Sequence, residues 1–141
     1  MTASFDLTDK VAIVTGGGRG IGRAIALGLA DSGAKVAVTA RSKDQLDAVV
    51  EEIKAKGKEA IAIEADLMSL DSIAAIVDTT VKEFGKVDIL INNAARSFMR
   101  PLMDLREDGY DKIFDVNVKA AFMLSREAAK AMMNQGGGKI V

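Results

Sequence analysis

The chain has 141 residues, 49% of them hydrophobic, with 19 basic against 20 acidic side chains and a formal net charge of -1. That balance excludes partners held by bulk charge, such as nucleic acid or a membrane surface, whereas a small anionic ligand needs only local donors. Cysteine and histidine are both absent, which removes disulfides, a thiol nucleophile, zinc–thiolate sites and the commonest general base. The size suits one domain over residues 1–141. No apolar run is long enough to span a bilayer, and residues 1–9 lack the basic-then-apolar pattern of a secretory leader. A cytoplasmic location is therefore expected.

Strand-like and helix-like runs alternate along the chain. Val11–Thr15 is an apolar run that reads as a first strand. Gly16, Gly17, Gly18, Gly20 and Gly22 follow at once, and a helix is predicted over Gly20–Asp31, stopped by Ser32-Gly33. Lys35–Ala40 reads as a second strand. Ser42 is placed to cap a helix running to about residue 56, with Leu46, Val49, Val50 and Ile53 on one face. Residues 59–64 read as a third strand, followed by a helix from Ser69 or Asp71 to Gly85 with Ile73, Ile76, Val77 and Val81 inward. Residues 87–91 form a fourth predicted strand, 102–108 a short helical turn, 111–133 one long helix, and a fifth strand opens at Lys139 after three glycines. Apolar strands with little alternation imply a sheet covered on both faces, and the strand–helix repeat implies right-handed parallel crossovers. The fold class expected is α/β, a doubly wound parallel sheet.

A strand, a glycine turn and a helix in that order form a seat for a diphosphate. Glycine supplies backbone angles closed to other residues and lets phosphate approach without a Cβ in the way. The helix N-terminus adds free N–H groups and a partial positive charge. Thr15 can hold the turn through its hydroxyl. The competing reading is a tight turn with no ligand. A P-loop is disfavoured, because no Lys-Ser/Thr pair follows these glycines.

The stretch Thr15-Gly16-Gly17-Gly18-Arg19-Gly20-Ile21-Gly22 resembles the cofactor motif of the short-chain dehydrogenases/reductases. Asn92-Asn93-Ala94-Ala95 resembles that family's Asn-Asn-Ala-Gly motif, and Asp66 and Asn117 fall where it places functional residues. The resemblance covers the chain from about Leu7 to Val141. It implies a Rossmann fold that binds NAD(H) or NADP(H) and moves a hydride between nicotinamide and an alcohol or carbonyl. It also implies that Thr15, Gly16, Gly18, Arg19, Gly20, Ile21 and Gly22 surround the diphosphate. Asp66 would accept from the adenine amino group, the Leu67 N–H would donate to the ring, and Asn93, Ala94 and Ala95 would line the groove. Ala95 departs from the family's glycine. The plainer reading of Asp66 is a turn cap.

At the end of the second strand a carboxylate would bind the 2'-hydroxyl of NAD and repel a 2'-phosphate. Ala40 stands there instead, followed by Arg41 and Ser42. A guanidinium suits a phosphate because it donates two parallel hydrogen bonds. NADP(H) is therefore expected in preference to NAD(H), with Arg19 as a second contact and Lys43 as a weaker one. Otherwise Arg41 is a solvated residue before a helix.

The family's catalytic set is a serine, a Tyr-x-x-x-Lys pair and an asparagine. Asn117 resembles the asparagine, which interrupts the long helix and holds a water in a proton relay. Without that role it would bond only its own helix backbone. The sole tyrosine, Tyr110, is followed four residues on by Phe114. The expectation is a cofactor-binding portion cut off after the fifth strand, inactive alone, whose full-length form is an oxidoreductase. The alternatives are an enoyl reductase of the same fold, disfavoured by the Asn117 motif, and a non-catalytic nucleotide-binding or regulatory module. The substrate is a small alcohol or carbonyl compound; an acyl thioester, sugar, steroid or ketone all fit. Residues 95–105 supply an apolar wall interspersed with Arg96 and Arg100, which suits an apolar carbonyl substrate with a remote anionic group; otherwise these residues anchor the loop to the core. By resemblance the long helix also joins subunits into a homodimer or homotetramer. No metal is called for.

Overall fold

Residues 5–141 are described in a computed structural model; the first four, part of the start searched for a leader, lie outside the described residues. Strand β1 (Val11–Thr15) is buried along its whole length. It is followed by α1 (Gly20–Asp31), β2 (Lys35–Ala40), α2 (Lys43–Ala55), β3 (Ala60–Glu64), α3 (Leu70–Phe84) and β4 (Ile89–Ile91). A single 3-10 turn (Leu102–Asp104) leads to α4 (Glu107–Phe114), a π-helical segment (Asp115–Ala120), α5 (Ala121–Asn134) and β5 (Lys139–Ile140).

The five strands are parallel and lie in the order β3-β2-β1-β4-β5. From β1 the chain first winds outward through β2 and β3, then returns to β4 on the other side. A crevice opens where the winding reverses, at the carboxyl ends of the strands. This is the doubly wound sheet that the alternating pattern implied.

Successive strand residues feed opposite faces. Ile13, Ala37 and Leu90 pack with Ile73, Ile76, Leu124 and Ala128 of α3 and α5. Val14, Val36 and Val38 pack with Ala26, Ala30, Leu46, Val49 and Ile53 of α1 and α2. The apolar faces expected of the second and third helices are the buried ones. In α1 the buried residues are Gly22, Ala26 and Ala30. Spaced by four, they form a flat stripe that brings the helix close to the sheet.

Four sequence expectations need correction. The long helix starts at Glu107 rather than 111 and changes to π-helical hydrogen bonding over Asp115–Ala120, so Tyr110 lies inside it. Tyr110 stacks on Phe114, one turn on, at 4.4 Å between ring centroids. The turn expected over 102–108 is helical only to Asp104 before α4 begins. Strands β3 and β4 start one and two residues later than expected, at Ala60 and Ile89. Ser42 occupies the N-cap position of α2, but its hydroxyl makes no capping bond. Among the described residues no helix is long and apolar enough to cross a membrane.

Candidate functional site

The turn after β1 is tied to the neighbouring strand: the N–H groups of Gly16 and Gly17 both donate to the Thr39 carbonyl, at 2.8 and 3.3 Å. The chain then doubles back so tightly that a Cβ on Gly22 would lie 2.1 Å from the Gly16 carbonyl oxygen. No side chain fits there. Gly20 has open space around it but a φ of +54°, which L side chains rarely adopt. The first turn of α1 has no acidic residue, and its N-cap, Arg19, makes no side-chain cap. A guanidinium has no acceptor to offer. The opening N–H groups of α1 are thus left for an external anion, where the helix dipole favours negative charge.

A clip joins this turn to the end of β4. The Thr15 hydroxyl accepts from the N–H groups of Asn93 (3.0 Å) and Ala94 (2.9 Å) and donates to the Ile91 carbonyl (3.3 Å). The Asn93 amide donates to the Thr15 carbonyl at 2.9 Å. Asn92 turns the other way, donating to the Ser125 hydroxyl of α5 at 3.0 Å. Thr15 is 1% exposed, so it shapes the crevice from beneath rather than lining it.

Apart from Lys43, the weaker contact expected, every other cofactor residue expected from the sequence lines one cleft of about 580 Å³. Gly16, Gly18, Arg19, Gly20, Ile21 and Gly22 form its floor; Arg41 and Ser42 stand at the end of β2; Asp66 and Leu67 follow β3; Asn93, Ala94 and Ala95 follow β4. Asp66 is also a turn cap, since its Oδ1 accepts from the Met68 N–H at 3.0 Å. That leaves Oδ2 available. Lys43 is held by Asp47 through bonds of 2.9 and 2.7 Å, which raise its ammonium above the usual lysine range. Arg19 and Arg41 make no ion pair among the described residues.

Asn117 does not enter the cleft. Its Oδ1 accepts from the Arg96 N–H at 2.7 Å and its Nδ2 donates to the Arg96 carbonyl at 2.8 Å. The side chain therefore bonds the loop after β4 rather than its own helix, and clamps that loop. Asn117 lies in the π-helical segment, and its neighbour Val116 lines the cleft.

Gln45, Met68, Arg96 and Val116 also line the cleft but were not nominated for the cofactor. Gln45 had a readable signal: it lies three residues after Ser42, on the first turn of α2. Met68 and Val116 had none, because only tertiary packing brings them there.

The glycine cradle, the uncapped helix start and the two unpaired arginines fit a dinucleotide with its diphosphate over α1. Comparison with known proteins gives the family. A family model described as short chain dehydrogenase matches residues 10–141. The chain is 44% identical over 133 residues to the 3-oxoacyl-(acyl-carrier-protein) reductase FabG of Staphylococcus aureus, covering 94% of this chain and 54% of that protein. A metagenomic short-chain oxidoreductase solved in complex with NADP superposes with a TM-score of 0.90 at 41% identity, over 95% of this chain and 61% of the other. A 7α-hydroxysteroid dehydrogenase solved with NADH and 7-oxo glycochenodeoxycholic acid does so with a TM-score of 0.94 at 37% identity, over 97% and 53%. The chain spans about half the length of the curated relatives it matches. It belongs to the short-chain dehydrogenase family and carries that family's nicotinamide-dinucleotide-binding fold.

Proposed function

We propose that this chain is the cofactor-holding part of an NADP(H)-dependent oxidoreductase acting on an alcohol or carbonyl substrate. The bound dinucleotide supplies the hydride acceptor or donor. The chain's own residues bind and orient it. N–H groups opening α1 take the diphosphate, Asp66 Oδ2 and the Leu67 N–H read the adenine, and the Thr15–Asn93 clip fixes the distance between the two walls. Asn117 acts as a positioning residue, because its two bonds to Arg96 hold the loop that passes the substrate side.

The observation that carries the NADP(H) preference is the end of β2. Ala40 offers no carboxylate to a ribose hydroxyl, and Arg41, the uncommitted Ser42 hydroxyl and Arg19 border the same cleft. A charge-assisted hydrogen bond contributes about 1.5–3 kcal/mol, or roughly one to two decades in affinity. Titrating NADPH and NADH against the chain, read by nicotinamide fluorescence, tests this. NADPH is expected to bind at least about 10-fold more tightly, and Arg41→Ala to remove most of that margin. Equal affinities would contradict the preference while leaving the fold assignment intact.

Self-association belongs to the same proposal. Tyr110, Phe114, Val118 and Phe122 recur every four residues along the α4–π–α5 helix and are 46–66% exposed. A stripe of that kind suits a second copy of the chain. Sedimentation is expected to show dimers or tetramers; a monodisperse monomer at high concentration would contradict it.

A further inference from the structure

The glycine turn, Arg41, Asp66 and the clip are all accounted for by a dinucleotide. One cation in the cleft is not. Arg96 sits in the loop after β4, half-buried, with its main chain held at both N–H and carbonyl by Asn117. Its side chain crosses the crevice. Strands β4 and β3 are separated by β1 and β2, a spacing of roughly 14 Å at about 4.8 Å per strand step. Arg96 Nη1 nevertheless lies 4.0 Å from the Met68 sulfur, in the turn after β3. On the other side its guanidinium stands over the Phe98 ring, 5.4 Å from the centroid.

Those are its side-chain contacts: a thioether and an aromatic face. Among the described residues no carboxylate lies within ion-pair distance of it. Nine of the nineteen lysines and arginines form ion pairs among the described residues, as Arg23 does with Glu52 and Lys56 with Asp31, and Arg96 is one of the ten that do not. A cation–π contact is weaker than a charge-assisted bond to an oxyanion. An anionic group entering the cleft therefore displaces the resting contacts. The backbone clamp means that the loop need not reorganise to meet it.

We propose that Arg96 is an anion-recognition side chain of this cleft, set across from Arg41, which binds an oxyanion carried by the ligand. The loop that continues from Arg96 leaves the cleft but carries exposed Met99, Leu102 and Met103, with Arg100 as a second positive charge. Carbonyl compounds with an apolar body and a carboxylate or phosphate group suit that loop. The inference rests on the dinucleotide reading above, and the oxyanion has two sources, the dinucleotide itself or the substrate.

The experiment compares wild type, Arg96→Met and Arg96→Lys, each checked for an unchanged melting transition. Methionine keeps the apolar reach and removes the charge; lysine keeps the charge and loses the planar stacking. NADPH and NADH affinities are measured first, at low and high salt. Levulinate and its uncharged analogue methyl propyl ketone are then titrated against the NADPH-loaded chain. If the dinucleotide is the source, Arg96→Met weakens NADPH and NADH alike by about 10-fold and flattens the salt dependence, unlike Arg41→Ala, which weakens NADPH alone. If the substrate is the source, both dinucleotides bind as before, levulinate weakens by about 10-fold and the neutral ketone does not change. In either case Arg96→Lys restores most of the loss. The proposal is overturned if Arg96→Met changes neither arm, or if Arg96→Lys is as damaged as Arg96→Met. Failure of wild type to bind either dinucleotide would instead overturn the reading on which it rests.

Discussion

The glycine turn between β1 and α1 and the helical run from α4 through α5 border the same cleft, yet they are built on opposite principles. The turn is fixed by exclusion: a Cβ at Gly22 would meet the Gly16 carbonyl at 2.1 Å. The helical run is fixed by side-chain bonds from a distance, with Asn117 reaching back 21 residues to Arg96. One is a backbone requirement that any sequence with this function must satisfy locally. The other is a tertiary arrangement that leaves four large apolar side chains facing outward.

Breaking the turn should have the largest effect on binding. Gly22→Ala places a methyl group inside a backbone contact, a clash at the upper end of the overpacking range, about 3 kcal/mol. Dinucleotide affinity should be lost and the thermal midpoint lowered; an unchanged titration would mean that the turn relaxes freely. Truncating the core beneath the turn comes next. Leu46→Ala and Leu124→Ala remove fully buried side chains from the α1/α2 and α3/α5 layers respectively, each at a cost of about 2–5 kcal/mol in denaturant unfolding. A single transition followed by every probe in both variants would mean that the two layers unfold together.

Asn117→Ala sharpens the comparison from the other side. Two hydrogen bonds to Arg96 disappear, at a cost of about 1–3 kcal/mol. Hydrogen exchange at the Arg96 amide should accelerate while the Asn93 and Ala94 amides, held by Thr15, stay protected. Acceleration at all three would mean that the clip depends on the clamp. The smallest effect is expected at Thr39, whose buried hydroxyl has no hydrogen-bond partner among the described residues. Thr39→Val removes an unsatisfied polar group without changing shape, so stability should be unchanged or rise by up to about 1 kcal/mol in a denaturant melt. A clear loss would reveal a bridging water.

The contrast also explains what could be read from residues alone. The order of strands and helices was legible because Val11–Thr15, Lys35–Ala40 and the 46/49/50/53 face of α2 carry their periodicity in the local sequence. The cradle was legible because glycine at 16, 20 and 22 has few other uses after a buried strand. The start of α4 was not, since Glu107 and Asp108 read as the end of a separate helical turn and Gly109 stands between them and Tyr110. The π-helical segment was legible only as the interruption of the long helix that the resemblance implied at Asn117; its extent over Asp115–Ala120 was not. Asn117 was singled out by its motif, but its partner was not, because no local rule pairs residues 96 and 117. The Thr15 clip was foreseen only as a hydroxyl that holds the turn, for its partners lie 78 and 79 residues away.

The central claim is that the amides opening α1 hold the diphosphate of a dinucleotide. Amide chemical shifts recorded through an NADPH titration test it most directly. The account predicts saturable shifts concentrated at residues 18–22, with a second group at 41–42 and a third at 66–67. Saturable binding that leaves residues 18–22 unmoved while shifting amides on another face would contradict it.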